Sequence, residues 1–460
     1  MKKDMINENP LGTQSIKKLI WAYSIPSIIS QLINSLHNIV DQVFIGWGIN
    51  DLAIGATNIT FPITTIMTAV SALIGMGAAS RFSIMLGEKQ HRKAAETIGT
   101  AVLMLVTLGA LISIILSLFL DPILYLFGAT DLIMEYAHPY ARIICLGVPL
   151  GIFAAGMSYF IRADGSPTYA SIVLLSGAGL NMILDPIFIF GLDMGISGIA
   201  AATVLGQLLS TVLALLYLLR KFKSVSLSAA CMKLRLSISG IIFKLGMATF
   251  TTHVLITASQ IIQMNALRTY GALSVFGSEV VISASGVVSK LTIVLLSSVI
   301  GIAMGCQPIW GYNLGNKKFH RVKQTYLLAI RYGSYVALAS FLLLQLFPQQ
   351  ILSMFGSEDP LFYEFSTRYI RIFFMMLFLN ALQPITSMFC TAIGKAGLGV
   401  WMAVFRHGLL LISLLLILPP IMGIDGVLFA GCISDFGAAA MVILVGYYQI
   451  KRLDKLEQEK

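Results

Sequence analysis

Apolar residues in this chain come in long unbroken stretches, neither at alternate positions nor at every third and fourth. Runs such as 101–120 and 408–418 are apolar on every face, so a helix made from them has no side to offer to water. At 1.5 Å per residue, about twenty such residues cover the roughly 30 Å of a bilayer's hydrocarbon. A membrane barrel would show short alternating segments instead. Twelve stretches therefore predict twelve crossing helices, at about 16–45, 52–77, 94–120, 133–160, 168–191, 196–219, 240–266, 279–305, 325–347, 366–392, 399–420 and 427–449. Residues 1–15 are polar, holding Lys2, Lys3, Asp4 and Glu8, and lack the apolar core and cleavage pattern of a removable signal. The stretch from Ile16 is too long for a signal core, so it is expected to remain as the first span.

The polar connections alternate in charge. Arg81, Lys89, Arg92 and Lys93 lie between spans 2 and 3, Arg220, Lys221, Lys223, Lys233 and Arg235 between spans 6 and 7, and Lys317, Lys318, Arg321 and Lys323 between spans 8 and 9. Both tails are basic as well. Connections around Gly48, Gly128, Asp193, Gly356 and Gly423 hold almost no Lys or Arg. The positive-inside rule then predicts a multi-pass protein of the inner (cytoplasmic) membrane with both termini in the cytoplasm. Composition agrees: 57% of the 460 residues are hydrophobic and 11% charged, where a soluble chain carries roughly a quarter charged. The net charge of +10 sits in those connections, which explains it without a nucleic-acid partner. Cys145, Cys231, Cys306, Cys390 and Cys432 are scattered and odd in number, without the close pairs that metal or redox sites need.

The two halves repeat each other. Leu86-Gly87-Glu88-Lys89 returns as Leu314-Gly315-Asn316-Lys317, Leu126-Phe127-Gly128 with Asp131 as Met354-Phe355-Gly356 with Asp359, and Gly195 with Gly198 as Gly423 with Gly426, always 228 residues on. An offset of six spans preserves orientation, so the repeats are parallel and related by an axis along the membrane normal. The expected fold is an all-α membrane protein of two pseudo-symmetric six-helix lobes. The first lobe takes residues 1–222, a cytoplasmic linker 223–239 and the second lobe 240–460. A cavity between lobes is the natural place for a transported molecule.

Ionised side chains at bilayer depth are costly, on the order of 3 kcal/mol on insertion scales, and persist where they face protein, water or an ion. Asp41 lies late in span 1 and Asp185 late in span 5; Asn181 precedes Asp185 by one turn and Pro186 follows it. With Thr203 in the next span, Asp41, Asn181 and Asp185 offer hard oxygen donors suited to a small cation or a shared proton. At the repeat offset Asp41 meets Thr269 and Asp185 meets Ser413, so the architecture itself does not demand acids there, and the coupling chemistry is expected in the first lobe. In the second lobe Lys290 and Asp435 are set to pair across spans 8 and 12, or Lys290 with Glu279, as a further polar site. His37 and His253, also within spans, read as hydrogen-bonded packing residues. Among 21 Met and 26 Phe, some suit a deformable lining for flat apolar cations.

Three segments carry a family resemblance over nearly the whole chain. Span 1 reads Ser24-Ile25-Pro26 with Gln31 and then Asp41-Gln42-Val43-Phe44-Ile45-Gly46. Span 5 reads Gly179-Leu180-Asn181-Met182-Ile183-Leu184-Asp185-Pro186. In the second half stands Gln307-Pro308-Ile309-Trp310-Gly311-Tyr312-Asn313-Leu314-Gly315. The chain resembles the multidrug and toxic compound extrusion (MATE) family, in its MepA-type bacterial branch. That resemblance implies a V-shaped pair of lobes alternating between outward-open and inward-open states, an antiporter that exports organic, often cationic, drugs against sodium ions or protons. It further implies a cation site, for sodium or a proton, at Asp41, Asn181, Asp185 and Thr203, and helix bending at Pro26. Some branches place acids in helices 7 and 10; span 10 here, through Asn380, Gln383 and Thr386, has none at mid-depth. The expectation is a transporter and no enzyme, with no cofactor beyond the coupling ion, acting as a monomer on small molecules within membrane lipid. The alternative is a lipid-linked oligosaccharide flippase of the same superfamily, which would need mid-span cations for a pyrophosphate; Lys290 is the main one read in the sequence. No Walker-type loop suggests ATP drive.

Overall fold

The computed structural model describes residues 9–49, 51–354 and 359–459. Residues 1–8 of the polar tail lie outside the described residues, as do Phe355 and Gly356 of the second-half landmark. All regular structure among the described residues is helical. The spans are α1 Ile16–Gly48, α2 Asp51–Gly87, α3 His91–Leu118, α4 Asp131–Ala163, α5 Pro167–Pro186, α6 Gly195–Arg220, α7 Leu236–Ala272, α8 Gly277–Gly315 and α9 Phe319–Leu346. Next come α10, made of Pro360–Phe373 and Leu382–Ala392, α11 beginning at Ala396–Ala403, and α12 Ile424–Gln458. Eleven helices are long and apolar enough to cross a membrane, and a twelfth is the pair forming α10, bent by 42°.

Three spans depart from the simple helices that hydropathy predicts. In α10 a single 3-10 turn, Leu377–Leu379, separates the two pieces. Pro384 lacks the N–H that would bond back to Asn380 and restricts the residue before it, which favours a break there. The fifth span widens into a π-helix at Ile187–Gly191, directly after Pro186, and the eleventh at Val404–Ile412. The start of α7 at Leu236 is a turn earlier than the apolar run alone indicated.

The repeat is visible in the backbone. Lys89 and Lys317 both adopt left-handed conformations, φ 61° and 55°, and so do Gly195 and Gly423, φ 55° and 63°; each pair is 228 residues apart. The seam between lobes shows the same symmetry. A Cβ built on Gly87 would stand 2.1 Å from the carbonyl oxygen of Tyr312, and one on Gly315 2.1 Å from that of Ile84. Farther along, Gly77 lies against Ile242, Gly246 against Leu73, Gly301 against Ile28 and Gly305 against Ser24. Small residues let membrane helices approach to backbone contact, and here they close α1 and α2 onto α7 and α8 at the end bearing the basic connections. Near mid-depth Ser35 and Ser297 still touch, Oγ to Oγ at 2.7 Å. Beyond that level the second lobe packs as a separate core around Phe365, Tyr369 and Leu352, so the lobes share one core at the basic end and part at the other.

The linker is strapped to the first lobe. Asp164, buried at the α4–α5 turn, accepts from the Tyr217 hydroxyl at 2.7 Å and from the backbone N–H of Lys223 and Ser224, both at 2.8 Å. Burial pushes its carboxyl above the ordinary aspartate range, and those donors pull it back. Farther on, Arg235 pairs with Glu96 at 3.0 Å, and Thr100 donates to the Lys233 carbonyl at 3.0 Å. Asp164→Ala leaves one buried hydroxyl and two partly buried backbone N–H groups without this acceptor, at a cost of about 1–3 kcal/mol. The expected result is faster proteolysis within residues 221–228 and a lower melting temperature; unchanged protection there would show that Asp164 does not hold the linker.

Candidate functional site

Span 5 carries the sequence's strongest polar signal, and the helix explains its geometry. Residues four apart share a face, so Asn181 and Asp185 both point into the bundle, 2% and 0% exposed. Asn181 Nδ2 donates to Asp185 Oδ1 at 3.2 Å and to Thr203 Oγ1 of α6 at 3.3 Å. Thr203 in turn donates to the Ile199 carbonyl at 3.0 Å. The Asp41 carboxyl, delivered by α1, lies close enough to Asp185 for the two acids to interact directly. All four residues grouped from sequence thus meet in one place.

Two additional residues belong to this cluster. His37, one turn before Asp41, brings Nδ1 to 3.0 Å from Asp41 Oδ1, although the angle is too poor for a hydrogen bond. Tyr140 of α4 lies within electrostatic reach of both acids. The His37 contact was legible as an i, i+4 pair; Tyr140 had no local signal because α4 is distant in sequence.

The donor chemistry tests what this cluster can hold. Asp41 Oδ1, Asn181 Oδ1 and Asp185 Oδ2 are all closed from solvent and make no hydrogen bond. Buried polar atoms are normally satisfied, since an unpaired one costs about 1–3 kcal/mol. Three such oxygens in one bundle, two of them carboxylate, fit a small hard cation. The contact between the carboxyls fits a shared proton equally, because two ionised carboxylates repel at that distance.

Pro26 lies within α1, which runs through it as one helix, and its carbonyl is tied to neighbours. The Pro26 carbonyl accepts from Ser30 Oγ at 2.9 Å and from Ser171 Oγ of α5 at 2.8 Å. Pro26 is thus joined by a hydrogen bond to the helix that carries Asn181 and Asp185.

The second lobe corrects the pairing expected for Asp435. Its carboxylate is held by Arg406, from the π-helical part of α11, with Nη2 at 2.6 Å and Nε at 3.0 Å. The same guanidinium donates to Gln383 and Asn380 at the break in α10. Lys290 and Glu279 form no ion pair among the described residues; eleven residues apart on α8, they stand about 16 Å from each other along the axis. Arg406 was overlooked because it sits within an otherwise apolar run, yet an acid in the adjoining span was a usable signal. Removing one partner of a largely buried pair costs about 3–5 kcal/mol. Arg406→Leu is therefore expected to lower the melting temperature in detergent, and Arg406→Leu with Asp435→Leu to restore most of the loss. A double variant as unstable as the single would show that the pair is not the reason.

Twelve apolar helices in two parallel repeats, with an ionisable cluster enclosed in one bundle, define a two-lobed membrane transporter. The model of the MatE family matches the chain twice, over residues 26–187 and 256–417, once in each repeat. The chain belongs to the MatE family, whose members are transporters and not enzymes. Among similar proteins, the multidrug export protein MepA of Staphylococcus haemolyticus is 26% identical over 439 residues, 95% of each chain. The fold is that of a solved MATE transporter of the MOP superfamily in an outward-facing conformation, with a TM-score of 0.90, 23% identity and coverage of 97% of this chain and 98% of that one. A MOP-superfamily transporter from Pyrococcus furiosus superposes equally well, at a TM-score of 0.90, 23% identity and the same coverage.

Proposed function

We propose that this protein is a secondary multidrug exporter, an antiporter moving organic, often cationic, compounds out of the cell against sodium ions or protons. The observation that carries the reading is the first-lobe cluster, where Asp41, Asn181 and Asp185 each hold a buried oxygen that makes no hydrogen bond, the Asp41 oxygen facing His37 Nδ1 at 3.0 Å. A coupling ion bound there by Asp41, Asn181, Asp185 and Thr203 favours one arrangement of α1 against α5, and it does so only by the difference in its affinity for the two arrangements. The hydrogen bond from Ser171 to the Pro26 carbonyl supplies the mechanical link. The similarity to MepA supports drugs as the cargo, and the seam closed at the basic end corresponds to an outward-open state. In this reading both termini face the cytoplasm, the lobes are residues 1–222 and 240–460 joined by 223–239, and a single chain in the cytoplasmic membrane suffices.

A flippase would need free positive charge in the cleft for a pyrophosphate. Arg406, the cation added by the structure, is already neutralised by Asp435 and supplies none of that charge. Reconstituted vesicles test both halves of the proposal. Dye efflux under a sodium gradient alone or a pH gradient alone identifies the ion, and efflux under neither gradient, or only with ATP, would end the antiport reading.

A further inference from the structure

Away from the ion cluster, a groove of about 640 Å³ lies on the seam between lobes at the end with the basic connections. Both repeats build it: Ile16 and Lys17 open α1, while Arg321, Leu327, Leu328 and Arg331 run along α9. Three cationic side chains converge on it, and none of them forms an ion pair among the described residues. The Arg321 guanidinium is fixed by neutral acceptors only, Asn313 Oδ1 at 3.1 Å and the carbonyls of Leu11 at 3.3 Å and Gln14 at 2.6 Å, so its charge is held in place without being cancelled. At the mouth, the cap residue Ser15 makes no side-chain cap bond, leaving the first N–H groups of α1 facing the same region.

The remaining lining is Ile16, Leu327 and Leu328 with one polar side chain, Gln324. Leu327 and Leu328 begin the apolar part of α9. Beside them Trp21 of α1 packs on Tyr332 of α9 with ring centroids 5.0 Å apart, and such amphipathic rings favour the level where headgroups meet acyl chains. Arg331 starts about 15 Å along α9 from Arg321, and its long stem lets the guanidinium reach back toward that level. A concave surface with uncancelled guanidinium and ammonium groups above aliphatic side chains matches one class of molecule: a phosphate ester with an acyl tail. Arg forks suit phosphate geometry, and basic pockets between helices on the cytoplasmic side attract acidic headgroups from that leaflet.

We propose that this groove binds an anionic phospholipid of the cytoplasmic leaflet, with its phosphate among Lys17, Arg321 and Arg331 and its acyl chain along Leu327 and Leu328. The choice of leaflet rests on the orientation proposed above; the site itself does not depend on the transport chemistry. Because α1 and α9 belong to different lobes, a lipid bound to both ties the lobes together at their closed end and favours the outward-open arrangement.

Native mass spectrometry of the full-length protein, titrated with phosphatidylglycerol, phosphatidylcholine or inorganic phosphate, tests this directly. Phosphatidylglycerol should be retained and phosphatidylcholine not, and Lys17→Gln with Arg331→Gln should weaken retention about thirtyfold through loss of two basic contacts. Equal retention by the double variant, equal binding of phosphatidylcholine, or displacement of the lipid by millimolar phosphate would each overturn the assignment. Reaction of Lys17→Cys with an impermeant maleimide in sealed, oriented vesicles reports the leaflet separately. Labelling from the outside would overturn the cytoplasmic placement and the orientation with it, whatever the lipid result.

Discussion

Vesicles carrying Asp41→Asn or Asp185→Asn are expected to lose gradient-driven efflux by about 100-fold, a coupling free energy of about 3 kcal/mol, while the protein stays folded. Asparagine keeps the size and one acceptor oxygen of aspartate but can neither carry the proton nor neutralise a cation. At position 185 the amide oxygen still accepts from Asn181 Nδ2, and at 41 the neighbour His37 tolerates a neutral acceptor, so the bundle loses charge without losing shape. Melting temperatures in detergent should remain close to that of the parent, which separates coupling from folding. Thr203→Ala removes an uncharged hydroxyl that accepts from Asn181 Nδ2 and donates to the Ile199 carbonyl, and its effect should be the smaller one. Normal efflux by either aspartate variant would remove this cluster from the mechanism.

A comparable effect is expected at the seam, by a different physical route. In Gly87→Ala or Gly315→Ala the new methyl group would stand 2.1 Å from a backbone carbonyl oxygen of the opposite lobe, and a carbonyl within a helix cannot swing away as a side chain can. The lobes must separate there, which disfavours closure at the basic end. Cys306 reports this well, because its thiol is buried in α8 against Ser24 of α1. Its labelling by maleimide from the side of the basic connections should rise about tenfold in either variant, equivalent to a shift of about 1.4 kcal/mol in the lobe equilibrium. On the same helix, Gly286 has no neighbour within 4 Å of an added Cβ, so Gly286→Ala is the matched control. Labelling that rises equally in all three variants would mean that general loosening is responsible, and unchanged labelling would mean that the seam yields without opening.

Much of this molecule was legible in the chain because a bilayer imposes a simple rule. A helix surrounded by hydrocarbon must be apolar for about twenty residues, so twelve spans, two parallel repeats and the even parity of the termini follow from hydropathy and spacing alone. The same rule makes the exceptions conspicuous: Asp41, Asn181, Asp185 and Thr203 stood out as polar residues in apolar surroundings, and the fold gathers them. Tertiary structure alone decided where each charge finds its partner. Arg406 reaches Asp435 because α11 widens and α10 breaks beside it, and neither distortion has a hydropathy signal. Tyr140 joins the acids, Ser171 reaches the Pro26 carbonyl and Lys17 faces Arg331 for the same reason. A side chain's environment in a bundle is set by helices far away in sequence, and which helices meet depends on where small residues such as Gly87 and Gly315 let backbones touch.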